Sequence, residues 1–252
     1  MCLGHISCIQ TEYSMKNVLL LGASGNIAPH IIPGLEQYYN LRLADIKPHP
    51  TGKPVTMVNM GDYQQVLEAA RGMDAIMNWT VVRDKPGLSF IVSTRGAYHV
   101  MKAAAELGIR KVLHTGPEII IQGYRHDFDI GDVPQAPGTG YYMLTKHLAM
   151  EICKSYARKY GIQTICYQFN GLNAKPHEPV KNADFPPFTI VWEDLVEACR
   201  LAIEIESVPD NFQAFNMNSY LAQGKYTIDK ARRILGYEPK ERVEAYYKRP
   251  VC

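Results

Sequence analysis

Residues 16–28 read Lys-Asn-Val-Leu-Leu-Leu-Gly-Ala-Ser-Gly-Asn-Ile-Ala, and this stretch decides the fold. Its four apolar residues, 18–21, are typical of a short strand that is buried on both faces of a parallel sheet. The turn that follows has glycine at positions 22 and 25, where the backbone can bend sharply and approach a ligand closely. The helix after the turn would point its amide groups and positive dipole end at a bound pyrophosphate.

A single carboxylate strengthens this interpretation. Asp45 lies 20 residues after Gly25 and directly follows the apolar segment 41–44. In a sheet of this type, the end of the second strand places a carboxylate against the ribose of an adenosine. The glycine turn and Asp45 together predict a dinucleotide-binding site.

The composition is that of an ordinary globular protein. The chain has 252 residues, of which 46% are hydrophobic and 21% charged, and its formal net charge is +2. So small a charge does not favour a nucleic-acid partner or a membrane surface. No apolar run approaches the roughly 18 residues that a membrane-spanning helix needs. We therefore expect no nucleic-acid partner and no membrane association.

The six cysteines are scattered over the chain, without a C-x-x-C pair or a spacing typical of metal ligands. They are interpreted as reduced thiols in a cytoplasmic protein, and no metal site is predicted. Residues 1–14 lack the basic start and continuous apolar core of a signal peptide. They are interpreted as an N-terminal extension that precedes the first strand.

Strand-like and helix-like segments alternate through most of the chain, which favours a doubly wound parallel α/β sheet. Helices are predicted over residues 26–39, 89–107 and 141–160. A further helix begins at Asp62, because Asp62 and Gln65 have the spacing of a capping box. The glycine- and proline-rich segment 116–140 is predicted to be a loop.

The helix predicted after that loop carries Tyr142 and Lys146. A spacing of four residues places both side chains on one helix face, one turn apart. A lysine ammonium beside a phenol stabilises the phenolate and lowers its pKa, so that the tyrosine can act as an acid or base near neutral pH. A chance pair on a solvated helix face is the alternative interpretation.

The glycine turn, Asp45 and the Tyr142–Lys146 pair together resemble the extended short-chain dehydrogenase/reductase superfamily, in its NAD-dependent epimerase/dehydratase branch. Segments 93–104, 188–195 and 229–240 also resemble that branch, so that the likeness covers nearly all of residues 16–247. The resemblance implies a Rossmann-type sheet, with an NAD-binding domain at 15–173 and a small substrate-binding part at 174–252. The compact chain and the Leu-Ala-Asp that closes the second strand resemble uronate dehydrogenases in particular.

The resemblance also implies a set of cofactor contacts. Asp45 would bind the adenosine ribose and disfavour a 2′-phosphate, so that NAD is expected rather than NADP. The implied NAD-binding residues are Gly22, Ser24, Gly25, Asn26, Ile27, Asp45, Ile46, Asn59, Met60, Asn78, Trp79, Thr80, Tyr142 and Lys146.

The resemblance assigns catalysis to Tyr142 as acid/base, with Lys146 on the nicotinamide ribose. The family's catalytic serine aligns with Pro117, which has no hydroxyl, so Thr115 is the candidate replacement. The residues expected to face the substrate are Val82, Pro117, Glu118 and Asn170.

Two functions from different classes follow. The first is an NAD-dependent oxidoreductase or epimerase that acts on a sugar, a sugar acid or a similar small hydroxy or carbonyl compound. The second, motivated by Pro117, is an NAD-binding sensor or scaffold with weak or no catalysis. The resemblance further implies a homodimer that pairs helices 89–107 and 141–160. An outward stripe suited to this contact is predicted at Val92, Ala103, Leu148 and Ala149.

Overall fold

The computed structural model describes residues 15–117, 127–131, 136–183 and 186–247. Its strands are β1 (Asn17–Leu21), β2 (Asn40–Asp45), β3 (Thr56–Met57), β4 (Ala75–Asn78), β5 (Lys111–Pro117), β6 (Gln163–Phe169), β7 (Gly171–Asn173), β8 (Thr189–Val191) and β9 (Phe212–Asn216). Seven of them form one parallel sheet in the order β3-β2-β1-β4-β5-β6-β9. Strands β7 and β8 pair separately, also in parallel. The predicted doubly wound α/β fold is confirmed.

Helices cover both faces of the sheet. They are α1 (Ala28–Leu35), α2 (Tyr63–Ala70), α3 (Pro86–Ser89), α4 (Gly96–Leu107), α5 (Tyr141–Tyr160), α6 (Trp192–Glu204) and α7 (Asp229–Leu235). The predicted start of α2 is confirmed, because the Asp62 carboxylate accepts hydrogen bonds from the backbone N–H groups of Gln64 and Gln65. In the described ranges, none of the helices combines the length and the apolar character needed to span a bilayer.

Strand β1 is buried on both faces, as its apolar run predicted. Val18 and Leu20 belong to the core on one side of the sheet, and Leu19 and Leu21 belong to the core on the other side. All four side chains are at most 1% exposed. Burying each of them stabilises the fold by roughly 1.5–3 kcal/mol relative to leaving it in water.

The strand order reverses at β1, which pairs with β2 on one side and with β4 on the other. At the carboxyl end of β1, Leu21 is level with Ala44 of β2 and with Asn78 of β4. In open parallel sheets, ligands bind in the crevice that such a reversal opens. The topology therefore places the candidate site beside the glycine turn.

The helices differ from the sequence predictions in two places. The helix predicted at 26–39 is only α1, Ala28–Leu35, with Pro33 inside its last turn. The helix predicted at 89–107 consists of a π-helical turn, Phe90–Arg95, followed by α4. Hydrophobic spacing does not distinguish a π turn from an α turn over so few residues.

The predicted outward stripe is wrong at two of its four positions. Helices α4 and α5 pack against each other within the chain, and the side chains of Ala103 and Ala149 are fully buried there. Leu148 is exposed to solvent, and Val92 is half-buried. Both alanines were assigned to the outer surface because helical spacing alone does not tell which neighbour covers a face.

Candidate active site

The glycine turn lies directly against the loop after β4. Gly22 has a φ angle of +83°, which side-chain-bearing residues rarely adopt. A Cβ atom placed on Gly22 would come within 2.9 Å of the Trp79 carbonyl carbon and 3.0 Å of the Thr80 nitrogen. The backbone N–H groups of Gly22 and Ala23 both donate to the Ala44 carbonyl, over 2.9 and 3.1 Å. The turn is therefore held between β2 and β4, with its bare backbone facing the crevice.

A wide cavity of about 490 Å³ occupies this crevice. Ten of the predicted cofactor residues line it: Gly22, Gly25, Asn26, Ile27, Asp45, Ile46, Asn59, Met60, Trp79 and Thr80. The start of α1 also borders it through Ala28, so the positive end of that helix faces the cavity. Its volume lies within the range of small-molecule and cofactor sites. The cavity and its glycine cradle fit a dinucleotide.

Asp45 is held rigidly at the end of β2. One carboxylate oxygen accepts a hydrogen bond from the Ser24 backbone N–H over 2.9 Å. The other oxygen accepts from the N–H groups of Ile46 and Lys47, over 2.7 and 3.2 Å. The carboxylate thus links the glycine turn to the loop after β2 and borders the wide cavity, where an adenosine ribose is expected.

Two predicted cofactor residues, Ser24 and Asn78, line neither cavity. The Ser24 hydroxyl donates to the Lys47 carbonyl over 2.9 Å, so this side chain fastens the loop after β2 and does not line the cavity. The Asn78 side chain points into the protein, where its amide oxygen accepts a hydrogen bond from the Thr80 hydroxyl over 2.7 Å. Its amide nitrogen lies 3.4 Å from Nδ1 of His114, which is buried on the neighbouring strand. Both side chains therefore hold neighbouring residues of the wide cavity in place through hydrogen bonds.

A second, narrow cavity of about 200 Å³ lies at the carboxyl ends of β5 and β6. Five of the seven residues predicted for catalysis or substrate binding line it: Thr115, Pro117, Tyr142, Lys146 and Asn170. Val82, which was expected to face the substrate, lines the wide cavity instead. Glu118 lies outside the described residues.

The two cavities adjoin, and four residues line both: Ile27, Trp79, Val81 and Arg83. Trp79 is almost fully buried and stacks on Phe169, with ring centres 6.0 Å apart and planes 14° from parallel. Its indole N–H has no hydrogen-bond partner among the described residues. A buried donor without a partner is uncommon, and a ligand that enters the site can supply the acceptor.

Lys146 is the most tightly held residue of the narrow cavity. Its ammonium donates to the Thr80 carbonyl over 3.1 Å and to the Thr115 carbonyl over 3.0 Å. Burial disfavours the charged form and lowers the pKa of Lys146 to about 8. The Thr115 hydroxyl lies in the same wall and donates to the Asn78 carbonyl over 3.2 Å. Among the described residues, the only cation on the α5 wall of the cavity is thus fixed by the loop after β4 and by β5.

The expected effect of Lys146 on the pKa of Tyr142 stays a prediction, and burial is the main influence on this phenol here. Burial raises the pKa of Tyr142 above its ordinary value of 10, and the opposing effect comes from Arg83. The guanidinium carbon of Arg83 lies 5.4 Å from the centre of the Tyr142 ring. The Lys146 ammonium is directed at the two carbonyls. Arg83 is therefore the cation that stabilises a Tyr142 phenolate here.

Sequence reasoning missed several residues of this site. Arg83 lies in an exposed loop and belongs to no motif, so nothing in the sequence marked it. Val81, Met143, Phe169 and Leu172 supply apolar walls of the narrow cavity. Both cavities are lined by residues between positions 21 and 172, and the assignment of 174–252 to the substrate side stays a prediction. Within the described ranges, no three His, Cys, Asp or Glu side chains are grouped so as to hold a metal ion.

The sequence is similar to those of known proteins. The model of the NAD dependent epimerase/dehydratase family matches residues 18–173. A uronate dehydrogenase from Pseudomonas putida is 25% identical over 247 residues, which span 94% of this chain and 88% of that protein.

Solved structures are also similar. A glucuronic acid dehydrogenase from Chromohalobacter salexigens superposes with a TM-score of 0.79, at 20% identity over 92% of this chain and 87% of that one. A uronate dehydrogenase from Agrobacterium tumefaciens gives a TM-score of 0.76, at 20% identity over the same shares of the two chains. At such low identities, the two superpositions show that the fold is shared.

Proposed function

The chain belongs to the NAD-dependent epimerase/dehydratase family, and we propose that it is a uronate dehydrogenase, which oxidises a free sugar acid with NAD. It is an enzyme, and NAD is its cofactor. The curated relative that matches nearly the whole chain is itself a uronate dehydrogenase. The proposal concerns the substrate and the reaction, which differ among members of this family.

The observation that carries the proposal is the size and lining of the narrow cavity. About 200 Å³ suits a single sugar ring, whereas larger pockets hold drug-sized ligands. Tyr142, Lys146 and Thr115 all line this space, and it opens onto the wide cavity that fits the cofactor. A small free substrate beside a dinucleotide is what such a pair of cavities accommodates.

The residues can divide the chemistry between them. When bound, NAD supplies the acceptor for the hydride that leaves the substrate carbon. The Tyr142 phenolate takes the proton of the hydroxyl on that carbon, acting as the general base. Arg83 favours that phenolate by its charge. Two N–H groups of the Lys146 ammonium donate to backbone carbonyls, and the third would donate to a ribose hydroxyl of the cofactor. Thr115 replaces the missing serine as the hydroxyl nearest the reacting oxygen.

The alternative, an NAD-binding protein without catalysis, is not favoured. Pro117 does remove the usual serine hydroxyl, but Thr115 lines the same cavity. The Tyr142 and Lys146 side chains face this space together rather than lying on a solvated helix surface. An active site in which Thr115 replaces the serine accounts for the positions of Tyr142 and Lys146 better than a site that only binds NAD.

The proposal is tested by NADH formation from D-glucuronate and D-galacturonate. We expect turnover by the native enzyme and a fall of kcat by about 10²–10⁴-fold in Tyr142→Phe, the range typical of a lost general base. Tyr160→Phe is the matched control, because Tyr160 is exposed at the other end of α5. A native protein that binds NAD but oxidises neither acid would contradict the proposal, as would a fully active Tyr142→Phe.

We also propose a homodimer and a cytoplasmic location. The exposed side of α4 and α5 carries Tyr98 and Leu148, which are 40% and 36% exposed and supply an apolar surface for a second copy. A single-chain mass in light scattering would refute the dimer.

Cys153, Cys166 and Cys199 are buried free thiols, as expected in a reducing compartment. Secretion of the native protein would refute that location.

A further inference from the structure

We infer that Arg83 recognises the carboxylate of the substrate and sets a preference for acidic over neutral sugars. The inference rests on the proposed function, since it names the group that selects the substrate at the same site. Arg83 lies outside the segments that carry the family resemblance. Its position and its charge match what a carboxylate needs for binding.

The position of Arg83 joins the two cavities. It lines both of them, in the loop between β4 and α3. The Tyr141 hydroxyl donates to the Arg83 carbonyl over 2.6 Å, which ties this loop to the start of α5. The guanidinium carbon then lies 5.4 Å from the centre of the Tyr142 ring. The Arg83 guanidinium is thereby held close enough to Tyr142, the proposed base, for one sugar molecule to contact both.

The charges of the narrow cavity favour an anionic ligand. Arg83 and Lys146 line it, and no acidic side chain does among the residues that the structure describes. Two of the three N–H groups of Lys146 donate to backbone carbonyls, and the proposed function assigns the third to the cofactor ribose. The Arg83 side chain is exposed and forms no ion pair within the described part of the chain. Arg83 contacts Tyr142 but has no acidic partner among the described residues, and its planar fork of five donors can serve a carboxylate as well.

The cofactor pyrophosphate is the other anion in the site, and the geometry favours the carboxylate for Arg83. The pyrophosphate belongs at the glycine turn, where Gly22, Gly25 and Asn26 border the wide cavity and α1 begins. Arg83 lies where that cavity meets the narrow one, against the ring of Tyr142. A substrate that places its hydroxyl at Tyr142 would bring a carboxylate at its far end within reach of Arg83.

The test uses Arg83→Gln in the full-length enzyme, with Lys85→Gln as the matched control. Lys85 is an exposed cation two residues along the same loop, and it lines neither cavity. We expect Arg83→Gln to raise the KM for D-glucuronate about 10- to 100-fold, as expected for a lost charge-assisted hydrogen bond. The KM for NAD should change by less than about twofold, since pyrophosphate binding is retained. Lys85→Gln should leave both constants near native values.

Separate measurements distinguish failure of the inference from failure of the proposed function. If the native enzyme oxidises glucuronate and Arg83→Gln keeps the native KM for it, the inference is overturned and the proposed function stands. An increase confined to the KM for NAD would assign Arg83 to the pyrophosphate and would also overturn the inference. If the native enzyme oxidises no uronate, the proposed function fails. Calorimetric binding of glucuronate that Arg83→Gln abolishes would then still support the inference, and absence of binding to the native protein would overturn it.

Discussion

Replacement of Gly22 by alanine tests how closely the glycine turn must approach the rest of the sheet. The added methyl group would lie 2.9 Å from the Trp79 carbonyl carbon and 3.0 Å from the Thr80 nitrogen. Both atoms belong to the backbone where the chain leaves β4, so neither can move aside by a simple side-chain rotation. The φ angle of +83° adds strain of its own, because alanine disfavours this conformation.

The magnitude has two parts. A left-handed backbone conformation costs a side-chain-bearing residue about 1–2 kcal/mol. Forcing a methyl group into a packed region costs about 1–3 kcal/mol more. We therefore expect Gly22→Ala to lower the free energy of unfolding by about 2–5 kcal/mol. Gly52 separates the two parts, because it has a φ of +77° but no atom within 4 Å of the added Cβ.

The assay is urea unfolding of native, Gly22→Ala and Gly52→Ala proteins, combined with calorimetric measurement of NAD binding. Gly52→Ala should lose only the conformational part, about 1–2 kcal/mol, and keep its affinity for NAD. Gly22→Ala should lose about 1–3 kcal/mol more and bind NAD at least about tenfold less tightly, since Trp79 and Thr80 line the cofactor cavity. Equal losses in the two variants would refute the close approach inferred for Gly22.

Two further predictions concern charges. Asp45→Asn should reduce the preference for NAD over NADP about tenfold, because the variant no longer repels a 2′-phosphate. The control is Asp84→Asn, at an exposed aspartate of the same cavity. An unchanged ratio of the dissociation constants for NAD and NADP in Asp45→Asn would count against the assignment. Burial lowers the pKa of Lys146 from 10.5 to about 8, so the unfolded chain binds the Lys146 proton more tightly than the folded chain does. Below pH 8 the lysine is charged in both states, and the cost of burying that charge lowers the free energy of unfolding. The free energy of unfolding of the native protein, measured against Lys146→Met, should therefore rise between pH 8 and 10.5, and a constant difference over that range would contradict a buried, charged Lys146.

The parts of the fold that were predictable from sequence are those encoded by neighbouring residues. The apolar run before Gly22 predicted a doubly buried strand, and the Asp62 box predicted a helix start. The spacing of Tyr142 and Lys146 predicted that they face one space. Each of these signals depends only on the periodicity of the backbone or on a helix cap, so it can be read from residues that are close together in sequence.

The parts that were missed depend on residues distant in sequence. The carbonyls that hold Lys146 come from Thr80, in the loop after β4, and from Thr115 of β5, so helix spacing alone could not predict these contacts. Asn78 turns inward because His114 on the next strand faces it. Strands β7 and β8 have three residues each, too few for an alternating pattern to be recognised.

The most direct test of the central claim is a crystal structure of the enzyme with NAD. We expect the adenosine ribose at Asp45, the pyrophosphate at the glycine turn, and the nicotinamide where the wide and narrow cavities meet, with its reactive carbon facing Tyr142. This arrangement would place hydride and proton transfer on either side of one small substrate. A nicotinamide that lies away from the narrow cavity, or a cofactor bound in the reverse direction, would contradict the assignment of the two cavities.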